Sequence, residues 1–296
     1  MSLTSEEIAS QPAVWAEAAK TQEAGAFFGR PGESVLFLGC GTSAFVAESI
    51  AVLREEAGQG ITDAAYASEW TPGRRYDRIV AITRSGTTSE VLQALRVAAS
   101  SDAGAAGASL VAISAVAGEA VDALVEETLV LDFADEHSVV QTRFPTTVLT
   151  MARVAYGLTS SAAVDASDVL RKPLPVDVTD FEHFVYLGAG WTRGLAQEAA
   201  LKIREAAQAW SESYPLLDYR HGPIAVAGPR SLVFVFGAVG EDLVADIEAT
   251  GATVQTSGLD PLAQLVQAQR IAVELAESRG LNPDTPRHLT RSVILA

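Results

Sequence analysis

The strongest constraint on this chain is a pattern that it uses twice. SVLFLGCGTSAFVAESIAVLREEAG begins at residue 34, and HFVYLGAGWTRGLAQEAALKIREAAQ begins at residue 183. One fixed offset aligns Leu38 with Leu187, Gly39 with Gly188, Gly41 with Gly190, Ala47 with Ala196, Ala51 with Ala200, Glu56 with Glu205 and Ala57 with Ala206. Each copy is an apolar run, a glycine turn and a stretch of helical spacing. An apolar run without alternation is what a strand buried on both faces shows. The repeat predicts an internal duplication of an α/β unit with parallel strands and helices on both faces.

Other segments extend this order. A helix is expected over 4–29, with Thr4 or Ser5 at its start. Strands are expected at 64–70, 78–83, 109–114 and 128–133, with helices over 89–100 and 138–158. In the second half, 231–237 and 252–257 read as strands. The stretch between the halves is polar, and Pro173 and Pro175 block helix propagation there. It is expected as a linker, about 161–180, between domains 1–160 and 181–296.

Charge and cysteine content narrow the function. A net charge of −16 over 296 residues disfavours a phosphate backbone or an anionic membrane surface as partner. Any anionic ligand must be held by a local device. Cys40 is the one cysteine, so a disulfide framework is excluded. The N-terminal stretch has no basic and apolar leader pattern, and no run of about 18 apolar residues occurs. A cytoplasmic protein is expected, with no cofactor and no metal set.

Two turns of the first half are rich in small hydroxyl residues: Gly39-Cys40-Gly41-Thr42-Ser43 and Thr83-Arg84-Ser85-Gly86-Thr87-Thr88. Each lies between a strand and a helix start, where unpaired amides and the helix dipole favour an anion. Capping alone also explains serine and threonine there. The equivalent turn at 188–192 carries Trp191, which would crowd a phosphate. A second informative stretch is ALKIREAAQAWSESYPLLDYRHGP (200–223). Glu198, Lys202 and Glu205 share a helix face at spacings of four and three. They suit either acid–base work or a solvated ladder of salt bridges. His221 precedes Gly222-Pro223 and is either a turn residue or a proton carrier near neutral pH.

These stretches, with DEHSVVQTRFPTTVL (135–149) and NPDTPRHLTRSV (282–293), make the chain resemble tandem sugar isomerase (SIS) domain proteins. The similarity is greatest to the isomerase half of glucosamine-6-phosphate synthases. The resemblance implies two three-layer αβα domains with parallel sheets in a Rossmann-like, flavodoxin-type order. It implies a phosphorylated sugar as ligand, held by Gly41, Thr42, Ser43, Thr83, Arg84, Ser85, Gly86, Thr88 and Arg291. It makes Glu205 the base that moves a proton between C1 and C2, Lys202 its neighbour and His221 the ring-opening group. It also implies a homodimer in which His221 completes the neighbouring subunit's site. The family's imine-forming lysine is here Arg291, a group that stays protonated. The glutamine-hydrolysing domain of those synthases is not in this sequence. Aldose–ketose isomerase, amino-sugar-phosphate deaminase and deglycase are all compatible. A sugar-phosphate sensor without catalysis is the alternative, acting through a protein partner.

Overall fold

The computed structural model describes residues 2–100 and 107–295. By contacts the chain falls into two units. One comprises 13–136, 143–159 and 290–296, and the other comprises 1–12, 137–142 and 160–289.

The first unit is built on a parallel sheet of five strands: β1 (Val35–Gly39), β2 (Thr62–Tyr66), β3 (Arg78–Ile82), β4 (Ser109–Ser114) and β5 (Glu127–Val130). Their order is β2-β1-β3-β4-β5, the flavodoxin-type order. β1 and β3 are buried at every residue, as their unbroken apolar runs require. Edge strand β2 is more polar and only its first residue is fully buried. One face of the sheet, carrying Leu36, Leu38, Ile79, Ala81, Leu110 and Ala112, packs on Val91, Leu92 and Leu95 of α3 (Ser89–Ala99). α2 (Thr42–Glu56) also packs on β1, and α4 (Arg143–Ala155) packs on α2.

The second unit has a parallel sheet of four strands: β6 (His183–Gly188), β7 (Trp210–Pro215), β8 (Ser231–Val235) and β9 (Thr253–Gln255), in the order β7-β6-β8-β9. Val185, Leu187, Val233 and Val235 pack on Leu243 and Ile247 of α7 (Glu241–Glu248). α6 (Thr192–Ala207) lies against β6, β7 and α8 (Pro261–Ser278). Among the described residues, no helix is long and apolar enough to cross a membrane.

Several expectations change. The helix expected over 4–29 is α1 (Leu3–Ala18) followed by a 3-10 turn at Gln22–Phe28. Its start is capped from far along the chain. Asp284 accepts the amides of Leu3 (3.0 Å) and Thr4 (2.8 Å) and the Thr4 hydroxyl (2.8 Å). The helix expected from 138 begins at Arg143. The Glu7 carboxylate takes the amides of His137 (2.6 Å) and Ser138 (3.2 Å), and the Asp284 carbonyl takes that of Val139, so this segment runs as bends outside any helix. The expected linker 161–180 contains α5 (Ala162–Arg171). Its Ala162, Ala166 and Val169 are buried, and it packs on α8. The prolines lie beyond its end, so they stop a helix but do not make a free linker. Residues 1–12 and 137–142 group with the second sheet, and the tail 290–296 with the first, so two continuous domains do not describe the chain.

Candidate active site

The first hydroxyl turn joins β1 to α2. Gly41, at φ 53°, stands at the helix start in a conformation that side chains resist. Gly39 lets the helix press onto the strand: a Cβ there would lie 2.5 Å from the Ser43 carbonyl carbon. Thr42 and Ser43 open α2 and are each 3 % exposed.

The second hydroxyl turn leads from β3 into α3. Gly86 adopts φ 68°, and its carbonyl accepts the Val121 amide. The Ser85 hydroxyl accepts the Thr87 amide at 3.3 Å and lies 3.1 Å from the Thr87 hydroxyl. Both meet Ser292 of the tail, at 3.1 and 2.9 Å. The Thr83 hydroxyl oxygen is buried and has no hydrogen-bond partner. Thr88 stands at the N-cap of α3 without a side-chain cap bond. A turn that presents hydroxyl oxygens and leaves a buried one unsatisfied suits an anion with several acceptor oxygens.

Arg84 does something the sequence did not foretell. Its side chain is 2 % exposed, with Nη1 3.7 Å from the Glu136 carboxylate and Nη2 donating to the Arg291 carbonyl at 3.0 Å. Glu136, fully buried, also accepts the Arg143 amide at 2.7 Å and so opens α4. The Arg291 guanidinium is bound to the Asp135 carboxylate and the Glu136 carbonyl. Ser89 donates its amide to the Val293 carbonyl at 3.1 Å. The two arginines named as ligand-binding therefore fasten the tail to the hydroxyl turn, and their guanidinium groups are engaged within the protein. Glu136, Thr87 and Ser292 were missed, although 135–149 and 282–293 had been singled out as stretches.

In the second unit, α6 brings the expected carboxylates onto one lysine. Lys202 Nζ lies 2.5 Å from Glu205 Oε2 and 3.4 Å from Glu198 Oε1. The side chains of Lys202 and Glu198 are each 1 % exposed, and that of Glu205 is 19 % exposed. A solvated ladder is thereby ruled out: the lysine is buried, and one of its two acids reaches the surface. Arg204, on the next helical position, donates to the carbonyl and hydroxyl of Ser211 at 3.0 and 3.2 Å, and burial lowers its pKa. His221 ends a 3-10 turn (Leu217–His221) after β7 and is exposed.

The turn at 188–192 repeats the glycine geometry but not the chemistry. Gly190 has φ 54°. Thr192 closes its hydroxyl on its own turn, accepting the Ala189 amide at 3.0 Å and donating to the Ala189 carbonyl at 2.9 Å.

Comparison with known proteins gives these geometries a context. Residues 30–156 match the family model of the SIS domain. The isomerizing glutamine–fructose-6-phosphate aminotransferase of Pyrococcus horikoshii is 27% identical over 262 residues, covering 73% of this chain and 43% of the relative. That of Nostoc sp. is 26% identical over 323 residues, covering 88% and 52%. The chain thus spans about half the length of these curated relatives. Among solved structures, glucosamine-6-phosphate deaminase from Thermotoga maritima superposes with a TM-score of 0.83 at 25% identity, over 99% of this chain and 100% of that one. Tagatose-6-phosphate ketose/aldose isomerase from Escherichia coli shares the fold, with a TM-score of 0.76 at 20% identity over 100% and 96%. The chain is thus similar in sequence to the isomerizing aminotransferases, and the SIS-domain match lies on its residues 30–156.

Proposed function

We propose that this protein is an enzyme of phosphosugar metabolism that enolises a 6-phosphorylated sugar across C1 and C2, as an aldose–ketose isomerase or an amino-sugar-phosphate deaminase or deglycase. The relatives support the class: their names describe an isomerizing aminotransferase, a deaminase and a ketose/aldose isomerase of 6-phosphorylated sugars. The observation that carries the chemistry is the buried lysine gripping a carboxylate that reaches the surface. An enolising base must be fixed in direction and open to substrate. Lys202 holds one oxygen of Glu205, and the other oxygen is left to take a proton from one carbon and return it to the next. In this reading the sugar phosphate rests on Ser43, Thr83, Ser85 and Thr88, with backbone amides of residues 41, 42, 84 and 86 as further donors. His221 opens the ring. Its exposure is what a group serving a neighbouring subunit needs, so the reading includes a cytoplasmic homodimer in which His221 of each subunit completes the other's site.

We also read the two sheets as copies of one unit. Gly39 and Gly188 make the same close approach, Gly41 and Gly190 share a positive φ near 54°, and the residues facing α3 on β1 align with those facing α7 on β6.

The test is solvent deuterium incorporation at C1 or C2 of 6-phosphorylated ketoses and amino sugars. Glu205→Gln is expected to slow exchange by at least about 100-fold, the usual scale for a positioned base, with the fold intact by circular dichroism. Exchange that continues at the parent rate in this variant would overturn the assignment.

A further inference from the structure

The opposite pole of the first sheet holds a cavity that the proposed reaction does not use. It measures about 280 Å³ and lies where β3, β4 and β5 begin, roofed by the 3-10 turn that contains Phe27. A volume near 300 Å³ is at the small end of ligand sites. The pairing of strands fixes its floor, because Arg78 pairs with Ser109 and Val111 pairs with Glu127.

Charge across this floor is graded. Arg78 and Arg30 line the β3 side, and Glu126 and Glu127 line the β5 side. Arg78 is a built element, only 8 % exposed. Glu33 grips its Nε at 3.1 Å, and Nη1 stands 3.5 Å from the Ser109 hydroxyl. That hydroxyl donates to Glu126 at 2.8 Å, which orients the acidic side. Glu33 itself is held low: burial would raise its pKa, but hydrogen bonds from the Arg30 amide and Arg78, with the two nearby guanidinium charges, outweigh burial. Among the described residues, no salt bridge joins the basic side of the cavity to the acidic side. Val111 and Phe27 provide apolar surface between them.

We propose that this cavity binds a small zwitterion, an α-amino acid, with its carboxylate on Arg30 and Arg78 and its ammonium group on Glu126 and Glu127. A simple anion would leave the two glutamates without a cation, and a simple cation would leave Arg30 without an anion, while Arg78, held by Glu33 at Nε, has its Nη atoms to offer. Only a ligand carrying both charges a few bonds apart satisfies both sides, since guanidinium and carboxylate groups both favour charge-assisted partners. The limited volume restricts the side chain to a small one.

The experiment is a calorimetric titration of the full chain with each of the twenty protein amino acids, with acetate and methylammonium as half-ligands. At least one small amino acid is expected to bind, neither half-ligand is expected to match it, and inorganic phosphate is expected not to compete. Arg30→Ala and Glu127→Ala are exposed positions and are each expected to weaken binding at least tenfold without unfolding the chain. No binding by any amino acid, acetate binding as tightly as the amino acid, competition by phosphate, or indifference to both substitutions would each overturn the proposal. Because Glu205 exchange is measured separately, failure here leaves the enolisation reading standing, and the reverse also holds.

Discussion

The turns at 39–43 and 188–192 share a backbone and differ in what they offer. In both, a first glycine lets the helix start touch the strand end, and a second adopts the left-handed region at φ 53° and 54°. The second turn then spends its hydroxyl internally: Thr192 is bonded to both ends of Ala189. The first unit opens a helix with Thr42 and Ser43 and backs it with a second hydroxyl turn, where Ser85 and Thr87 bond to each other and to Ser292 and the buried Thr83 oxygen is left without a partner. The comparison separates what glycine does from what serine and threonine do. Glycine makes the crossing from strand to helix sterically feasible, and this requirement is the same whether or not a ligand is bound. Hydroxyls decide whether the crossing has anything left to give a ligand.

The sharpest way to break this comparison is to add a methyl group to each first glycine. A Cβ at Gly39 would sit 2.5 Å from the Ser43 carbonyl carbon, and one at Gly188 would press on the Thr192 carbonyl oxygen, with its carbon at 2.6 Å. In both cases the obstacle is backbone in the first helical turn, which cannot step aside as a side-chain end can. Gly39→Ala and Gly188→Ala are each expected to cost about 3 kcal/mol, the upper range for overpacking. Urea unfolding midpoints measure this. A loss below about 0.5 kcal/mol at either site would show that the two turns are not built alike.

The same two turns show what a sequence displays and what it hides. The buried strands were legible because each is an unbroken apolar run, and the glycine turns were legible because they recur at a fixed offset. Strand β7 escaped notice. WSESYP is an edge strand with serine and glutamate facing partial solvent, so it lacks the apolar run of its neighbours. The 162–171 helix was hidden by the prolines that follow it. At the site, Lys202 and Glu205 could be paired from spacing, but only packing shows that Lys202 is buried and Glu205 is not. Glu136 and Ser292 could not be assigned to the hydroxyl turn from the sequence, because their contacts with residues 84–87 span 52 residues or more of chain. Distances along the chain carry no signal for a contact between buried polar groups, whereas a helix face or a strand run is written within about ten residues.

A smaller effect sharpens the chemical half of the comparison. Ser85→Ala combined with Thr88→Ala is expected to weaken binding of a phosphorylated sugar by about 30-fold, two neutral hydrogen bonds at about 1 kcal/mol each, while leaving the unphosphorylated sugar unchanged. Thr192→Ala is expected to leave both affinities alone and to cost about 1 kcal/mol of stability, since the Ala189 amide loses its acceptor. Equal weakening of the two sugars in the first variant, or loss of phosphosugar affinity in the second, would erase the distinction between a donating turn and a self-satisfied one.

The edge strands extend the comparison and set its finest test. Asp63 on β2 pairs with Leu36, and Glu212 on β7 pairs with Val185, so the same offset of the repeat places an acid on each edge. Asp63 accepts from the Tyr76 hydroxyl at 2.6 Å, and Glu212 accepts from the Tyr214 hydroxyl at 3.0 Å, Trp210 Nε1 at 3.2 Å and His183 Nε2 at 3.3 Å. Burial would raise the Glu212 pKa, but the hydrogen bonds from Tyr214, Trp210 and His183 and the charge on His183 outweigh it and hold the carboxyl below its ordinary range. A group held low in the folded state stabilises the protein above its unfolded pKa, about 4.3 for glutamate, and that stabilisation is lost as pH falls through the folded value. Glu212→Gln is therefore expected to cost about 1 kcal/mol at pH 7, with the gap between variant and parent closing as the pH is lowered past 4. Because Glu212 is 21% exposed, this gap is also expected to be modest in size and to shrink with salt. Urea unfolding of the two proteins at pH 7, 5 and 3.5 decides it. A difference that stays constant across those three values would mean that Glu212 serves β7 by shape alone, with no contribution from its charge.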